Sequence, residues 1–129
     1  MNKSIKQSYR FLIIEDEICS KAILIKSLLK LTNKSCFYQA ETTAQAKEVI
    51  DNGQVHIIFL DRYLKDGEDS ISLFNYLAQK GDTTPVIVTS ADNSPEKVRE
   101  AFLLGATEFL GKPFKLSSVK VALEKLLKI

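Results

Sequence analysis

Phe11-Leu12-Ile13-Ile14-Glu15-Asp16-Glu17 is four apolar residues followed at once by three acids. An unbroken apolar run suits a strand buried on both faces, whereas a half-buried strand would alternate. The form recurs along the chain. The run from Val55 to Leu60 stops at Asp61, and Val86-Ile87-Val88 stops at Thr89-Ser90. Cys36-Phe37-Tyr38-Gln39-Ala40 reads as a weaker second strand. Glu108-Phe109-Leu110 reads as a fifth, with Lys112 one glycine beyond it.

Segments of helical period separate these runs. The first places Ile18, Ala22, Ile25 and Leu29 on one face, the stripe of a helix that packs on a core. The second starts near Thr42 with Gln45 three residues on, a capping-box spacing, and turns Ala46, Val49 and Ile50 inward. The third carries Ile71, Phe74, Leu77 and Ala78. The fourth has Ser94 as N-cap and Pro95 at the first helical position, with Val98, Ala101, Phe102 and Gly105 as its inner stripe. The last carries Leu116, Val119, Leu123 and Leu126. Strand and helix thus alternate five times, which predicts an α/β domain with a parallel sheet covered on both faces. Right-handed crossovers leave few topologies, and a doubly wound sheet in the order 2-1-3-4-5 is the natural one.

Composition narrows the classes. With 129 residues the chain reads as one domain behind a polar leader of residues 1–8, and no further domain is expected after the last helix. No apolar run approaches the length of a membrane span, and no signal-peptide stretch follows the basic start. A cytoplasmic protein is therefore expected. Cys19 and Cys36 form no CxxC pair and His56 is the single histidine, which argues against a zinc site. The cysteines are expected to be small apolar side chains. A net charge of +2 with dispersed lysines gives no reason to expect nucleic acid.

The polar residues fall where such a sheet binds ligands. All strand C-termini point to one edge, and the crevice beside the point where strand order reverses takes the ligand. Strands one and three flank that point, so Glu15, Asp16 and Asp61 should converge there. Acids at the start of a helix are favoured by its dipole in any case, and Ser90 or Lys112 singly would read as loop and surface residues. Their joint occurrence at one edge carries the reading. Gathered carboxylates call for a shared cation, and an all-oxygen site with room for water suits Mg²⁺. A lysine and a hydroxyl beside them suit a phosphoryl group, and a carboxylate that attacks phosphorus gives an aspartyl phosphate.

With these residues in place the chain resembles the bacterial response-regulator receiver family, with its flavodoxin-like fold, over about Tyr9 to Ile129. The motifs are Ile13-Ile14-Glu15-Asp16-Glu17, Ile58-Phe59-Leu60-Asp61, Pro85-Val86-Ile87-Val88-Thr89-Ser90-Ala91, Gly105-Ala106-Thr107-Glu108-Phe109 and Gly111-Lys112-Pro113-Phe114. The resemblance implies that Asp61 is the phosphoacceptor. Asp16 would bind Mg²⁺ directly, Glu15 through water, and Tyr63 through its backbone carbonyl. Lys112 would pair with Asp61 and then with the phosphoryl group. Ser90 would be the switch hydroxyl and Phe109 the aromatic that moves with it. Lys112-Pro113 matches the family's cis peptide. Glu15 stands where Asp is commoner. Lys65, Asp69 and Ser70 stand where the family often has Pro, then Asp-Gly, which clouds the start of the third helix.

The implied function is that of a single-domain response regulator, a phosphoacceptor rather than an enzyme. A histidine kinase or histidine phosphotransfer protein would supply the phosphoryl group. The face made by the fourth helix, fifth strand and fifth helix would meet an effector protein, and copies of the chain can pair through the same face. Tyr63 and Asp92 would line the path of attacking water, so slow loss of phosphate is expected. Three alternatives have discriminating features. An unphosphorylated module of the same fold would not bind beryllofluoride. A haloacid-dehalogenase-like phosphohydrolase wants a second acid where Tyr63 stands. A flavin carrier needs a phosphate-cradling loop where Glu15, Asp16 and Glu17 would repel phosphate.

Overall fold

The computed structural model describes residues 5–64 and 70–129. Its elements are β1 (Arg10–Ile14), α1 (Ile18–Leu31), β2 (Cys36–Ala40), α2 (Thr43–Asp51), β3 (Ile57–Asp61), α3 (Ile71–Lys80), β4 (Val86–Ser90), α4 (Pro95–Leu104), β5 (Glu108–Gly111) and α5 (Leu116–Leu127). The five strands form one parallel sheet in the order β2-β1-β3-β4-β5. Fold class and strand order are those expected from the alternation of runs. Lys65 and Asp69 lie outside the described residues.

Side-chain alternation along the strands splits the core in two. Phe11, Ile13, Ile57, Phe59, Ile87 and Leu110 pack against Leu24 and Leu28 of α1 and Val119 and Leu123 of α5. Leu12, Ile14, Ile58, Leu60, Val86 and Val88 pack against Ile50 of α2, Leu73 and Leu77 of α3 and Ala101 of α4. Each fully buried aliphatic or aromatic side chain contributes about 1.5–3 kcal/mol, which is why β1 after Arg10, β3 and β4 are apolar until their C-terminal ends. Ile5, ahead of β1, also packs on the first cluster.

Two helix faces differ from expectation. In α1 the buried set is Leu24, Ser27, Leu28 and Leu31, while Ile18 is 76% exposed and Ala22 and Leu29 are exposed. Both stripes have helical spacing, because apolar residues surround most of α1, and the sheet selects one of them. In α4 only Ala101 is buried and Phe102 is exposed. The difference leaves α4 lightly anchored, the condition of an element that opens at low free energy. Smaller corrections follow the same rule: Ala78 and Leu116 are exposed, and both cysteines are free and exposed rather than packed.

The helix starts are largely as read. Thr42 accepts a hydrogen bond from the Gln45 N–H at 3.1 Å, but Gln45 Oε1 accepts from Glu41 rather than from Thr42. Ser94 and Pro95 open α4, without a side-chain cap. Ser70 stands at the N-cap of α3 with φ −66°, so no glycine is required there. Its buried hydroxyl donates to the Arg62 carbonyl at 2.9 Å. Among the described residues no helix is long and apolar enough to cross a membrane.

Candidate phosphoacceptor site

Each candidate side chain sits where a strand ends and its hydrogen-bond ladder runs on. Beyond β1 the Glu15 N–H still donates to Ala40, beyond β3 the Arg62 N–H donates to Thr89, and beyond β5 the Lys112 N–H donates to Ser90, at 2.9–3.0 Å. The register sets Asp61 beside Thr89 and Ser90 beside Gly111. These bonds fix the backbone from which the polar side chains project, so the site is built on the sheet rather than on free loops. A Cβ on Gly111 would come within 3.1 Å of Asn93, so glycine lets the loop after β4 lie close over this edge.

Asp16, Glu17, Asp61, Tyr63, Ser90, Ala91, Asp92 and Lys112 line one open cleft of about 320 Å³. Carboxylate oxygens of Glu15, Asp16 and Asp61 lie within 4.8 Å of one another. Glu15 and Asp61 are buried and Asp16 is half-buried. Lys112 reaches between the acids, 2.5 Å from Glu15 Oε1 and 3.3 Å from Asp61 Oδ2. The nearer partner of the lysine is thus Glu15, whereas the sequence pointed to Asp61. The Tyr63 N–H donates to Asp61 Oδ1 at 3.3 Å. The Ser90 hydroxyl accepts from the Asp92 N–H at 3.1 Å. Phe109 is not in the cleft. It is half-buried and lines a larger groove of about 410 Å³ between β5 and α5. The Lys112–Pro113 peptide is cis.

Electrostatics follow from this crowding. Burial, then the neighbouring Glu15, push the Asp61 carboxyl up to about 7, against the pull of Lys112 and the Tyr63 N–H. Burial works against the charge on Lys112, but Glu15 and Asp61 outweigh it and raise its pKa. The donor set fits a hard divalent cation. It is all oxygen, and the buried Glu15 Oε1 has the Lys112 ammonium as its close partner at 2.5 Å.

The response regulator receiver domain family matches residues 11–124. The chain belongs to that family. This receiver domain is 32% identical over 117 residues to the transcriptional regulatory protein CiaR of Streptococcus pneumoniae, covering 84% of this chain and 51% of CiaR. It is 28% identical to the chemotaxis protein CheY of Listeria monocytogenes, covering 88% and 95% of the two. The receiver domain of Francisella response regulator 1452 superposes with a TM-score of 0.77 at 26% identity, covering 93% and 97%. The chain spans about half the length of the first curated relatives it matches.

Sequence reasoning missed two neighbours of the site. Arg62, directly after Asp61, is buried, and its guanidinium pairs with Glu100 on α4 at 2.5 Å. Its ring neighbour Tyr63 also meets Lys97 of α4. Arg62 follows the acid that ends β3, where a charged residue reads as a loop residue, so its burial carried no signal. The partner residues could not be read from the sequence.

Proposed function

We propose that this receiver domain takes a phosphoryl group onto Asp61 from the phosphohistidine of a histidine kinase or histidine phosphotransfer protein, and passes the change to a partner protein. The observation that carries the reading is the meeting of Asp61 with two further acids and Lys112 at one strand edge. An Asp61 oxygen attacks phosphorus, the phosphorus–nitrogen bond breaks, and the leaving imidazole keeps the electron pair and takes up a proton. Lys112 stands where it offsets charge on the phosphoryl oxygens and on Asp61. Glu15, Asp16, Asp61 and the carbonyl of Tyr63 are the groups that would hold Mg²⁺. When bound, that cation supplies positive charge for the phosphoryl oxygens. The protein acts as a reagent that is itself modified, not as an enzyme with a separate substrate.

Ser90 and Phe109 support the output step. The Ser90 hydroxyl accepts from the Asp92 N–H and lines the cleft. Phe109 and Val121 border the β5–α5 groove, with Phe102 and the 81% exposed Leu103 on α4 nearby in the chain. A turn of Ser90 toward a phosphoryl oxygen frees space for Phe109, and the apolar face changes shape.

The test is labelling with acetyl phosphate. In Mg²⁺ we expect one hydroxylamine-labile phosphoryl group, on the peptide that holds Asp61, and loss of uptake on chelation. Label on another residue, or uptake indifferent to chelation, refutes the proposal.

The donor surface has its own support. A donor histidine must enter the open cleft, and the residues that follow its acidic rim are Ile18, Ala22 and Leu29, the exposed stripe of α1. Exposed apolar stripes beside a site mark partner contacts. Ile18→Asp should slow transfer from a phosphohistidine protein by roughly tenfold or more, the scale of a buried interface anchor. Uptake from acetyl phosphate should not change, and equal slowing of both would remove the stripe from the donor interface.

A further inference from the structure

The ring of Tyr63 stands half exposed at the mouth of the cleft, with two cations against it. The Arg62 guanidinium lies 4.9 Å from the ring centroid and the Lys97 ammonium 5.9 Å. Both cations are tied to one carboxylate. Arg62 Nη2 lies 2.5 Å from Glu100 Oε1, and Lys97 Nζ lies 3.7 Å from Glu100 Oε2. Lys97 and Glu100 sit one turn apart on α4. Arg62 works from a fixed base, because its N–H donates to Thr89 and its carbonyl accepts from Ser70, both at 2.9 Å. Its side chain is 7% exposed, so the pair with Glu100 is shielded from water on the Arg62 side. Of the α4 residues only Ala101 is buried. The polar cluster joins α4 to Arg62 and Tyr63, the two residues directly after β3.

We infer that Arg62, Lys97 and Glu100 are positioning residues that strap the Tyr63 ring to α4, so that the placement of α4 sets how readily water reaches a phosphoryl group on Asp61. The inference rests on the phosphoacceptor reading and adds a direction to it. Signals pass from Asp61 to α4, and by reciprocity a partner that moves α4 acts back on the stability of the phosphorylated state. The physical basis is that a ring in contact with two tethered cations favours one orientation, whereas a released ring samples several rotamers and opens the cleft.

The experiment uses the whole chain, labelled with acetyl phosphate and Mg²⁺ and then freed of donor. Substitutions are Lys97→Met with Glu100→Gln, both at partly exposed positions, and Lys97→Arg as the conservative control. Losing the strap should shorten the phosphoryl half-life about two- to fivefold, the scale of a partly exposed cation–π contact. Lys97→Arg should restore it. In a Tyr63→Asn background the same pair should add nothing, because the ring it holds is gone. The Tyr63 ring NMR signals, assigned by their loss in Tyr63→Asn, should move in the strap variant before any phosphorylation.

Shortening of equal size in both backgrounds overturns the strap, since its effect then bypasses Tyr63. So do unchanged half-lives in labelled protein, or unmoved ring signals. A wild type that takes no label overturns the phosphoacceptor reading itself and the strap's role with it, so the two failures are told apart.

Discussion

Asp61→Asn is expected to end phosphoryl uptake and, in the absence of metal, to make the protein more stable. The first effect is the loss of the nucleophile: an amide oxygen does not form the acyl phosphate, and uptake should fall by roughly 10⁴-fold or more, the scale seen when an enzyme loses its nucleophile. The second follows from the raised pKa. Asp61 titrates near 7 in the folded chain because it is buried beside Glu15, while an unfolded aspartate titrates near its ordinary value of 3.8. Between those values the native state holds the extra proton, so stability falls as pH rises through the window. At pH 8 the ionised carboxylate costs the fold on the order of 2–4 kcal/mol. Asparagine removes that cost. At pH 5 the native carboxyl is protonated, and the gain should shrink to roughly a third of its value at pH 8. Urea unfolding of both proteins in chelator, at the two pH values, measures it. Adding Mg²⁺ at pH 8 should stabilise wild type and leave the variant unmoved. A variant less stable than wild type at pH 8 would show that Asp61 carries its charge comfortably without a cation.

What the sequence made legible here has a physical boundary. The strands were readable because burial on both faces leaves an unbroken apolar run, and the site because a functional group interrupts that run at the same edge each time. Glu15, Asp61, Ser90 and Lys112 all declare themselves in this way. Helix faces were less readable wherever apolar residues cover more than one face. The expected stripe of Ile18, Ala22, Ile25 and Leu29 repeats the four-three spacing of the buried Leu24, Leu28 and Leu31, and only the position of the sheet chooses between them, leaving Ile25 half-buried at the border. Phe102 lost its expected inward place because α4 turns Ala101, with Leu104 beside it, toward the core. Pairings across the fold were not readable at all. Nothing local couples Arg62 to Glu100, 38 residues away, and nothing local says that Lys112 stands closer to Glu15 than to Asp61.

That last distance carries the second large prediction. Lys112 lies between two buried carboxylates, with its own side chain 13% exposed. Lys112→Met keeps the bulk of the stem and removes the charge, leaving Glu15 and Asp61 side by side with no counter-ion in the metal-free protein. Removing one partner of a buried ion pair costs about 3–5 kcal/mol, and the loss should appear at pH 8. It should be smaller at pH 5, because Asp61 then carries a proton and only one charge needs a partner. Mg²⁺ should recover part of the loss, and Asp61→Asn in the same chain should recover more, since it deletes one of the two opposed charges. Uptake from acetyl phosphate should fall by about 10²–10³-fold, the cost of losing one preorganised charge at the reacting group. An exposed lysine would behave differently, with a loss below about 1 kcal/mol and little dependence on pH. Thermal unfolding of the single and double variants at both pH values therefore distinguishes an ammonium that holds the acids together from one that only lies near them. A pH-independent loss that Asp61→Asn does not relieve would place the role of Lys112 outside the carboxylate pair.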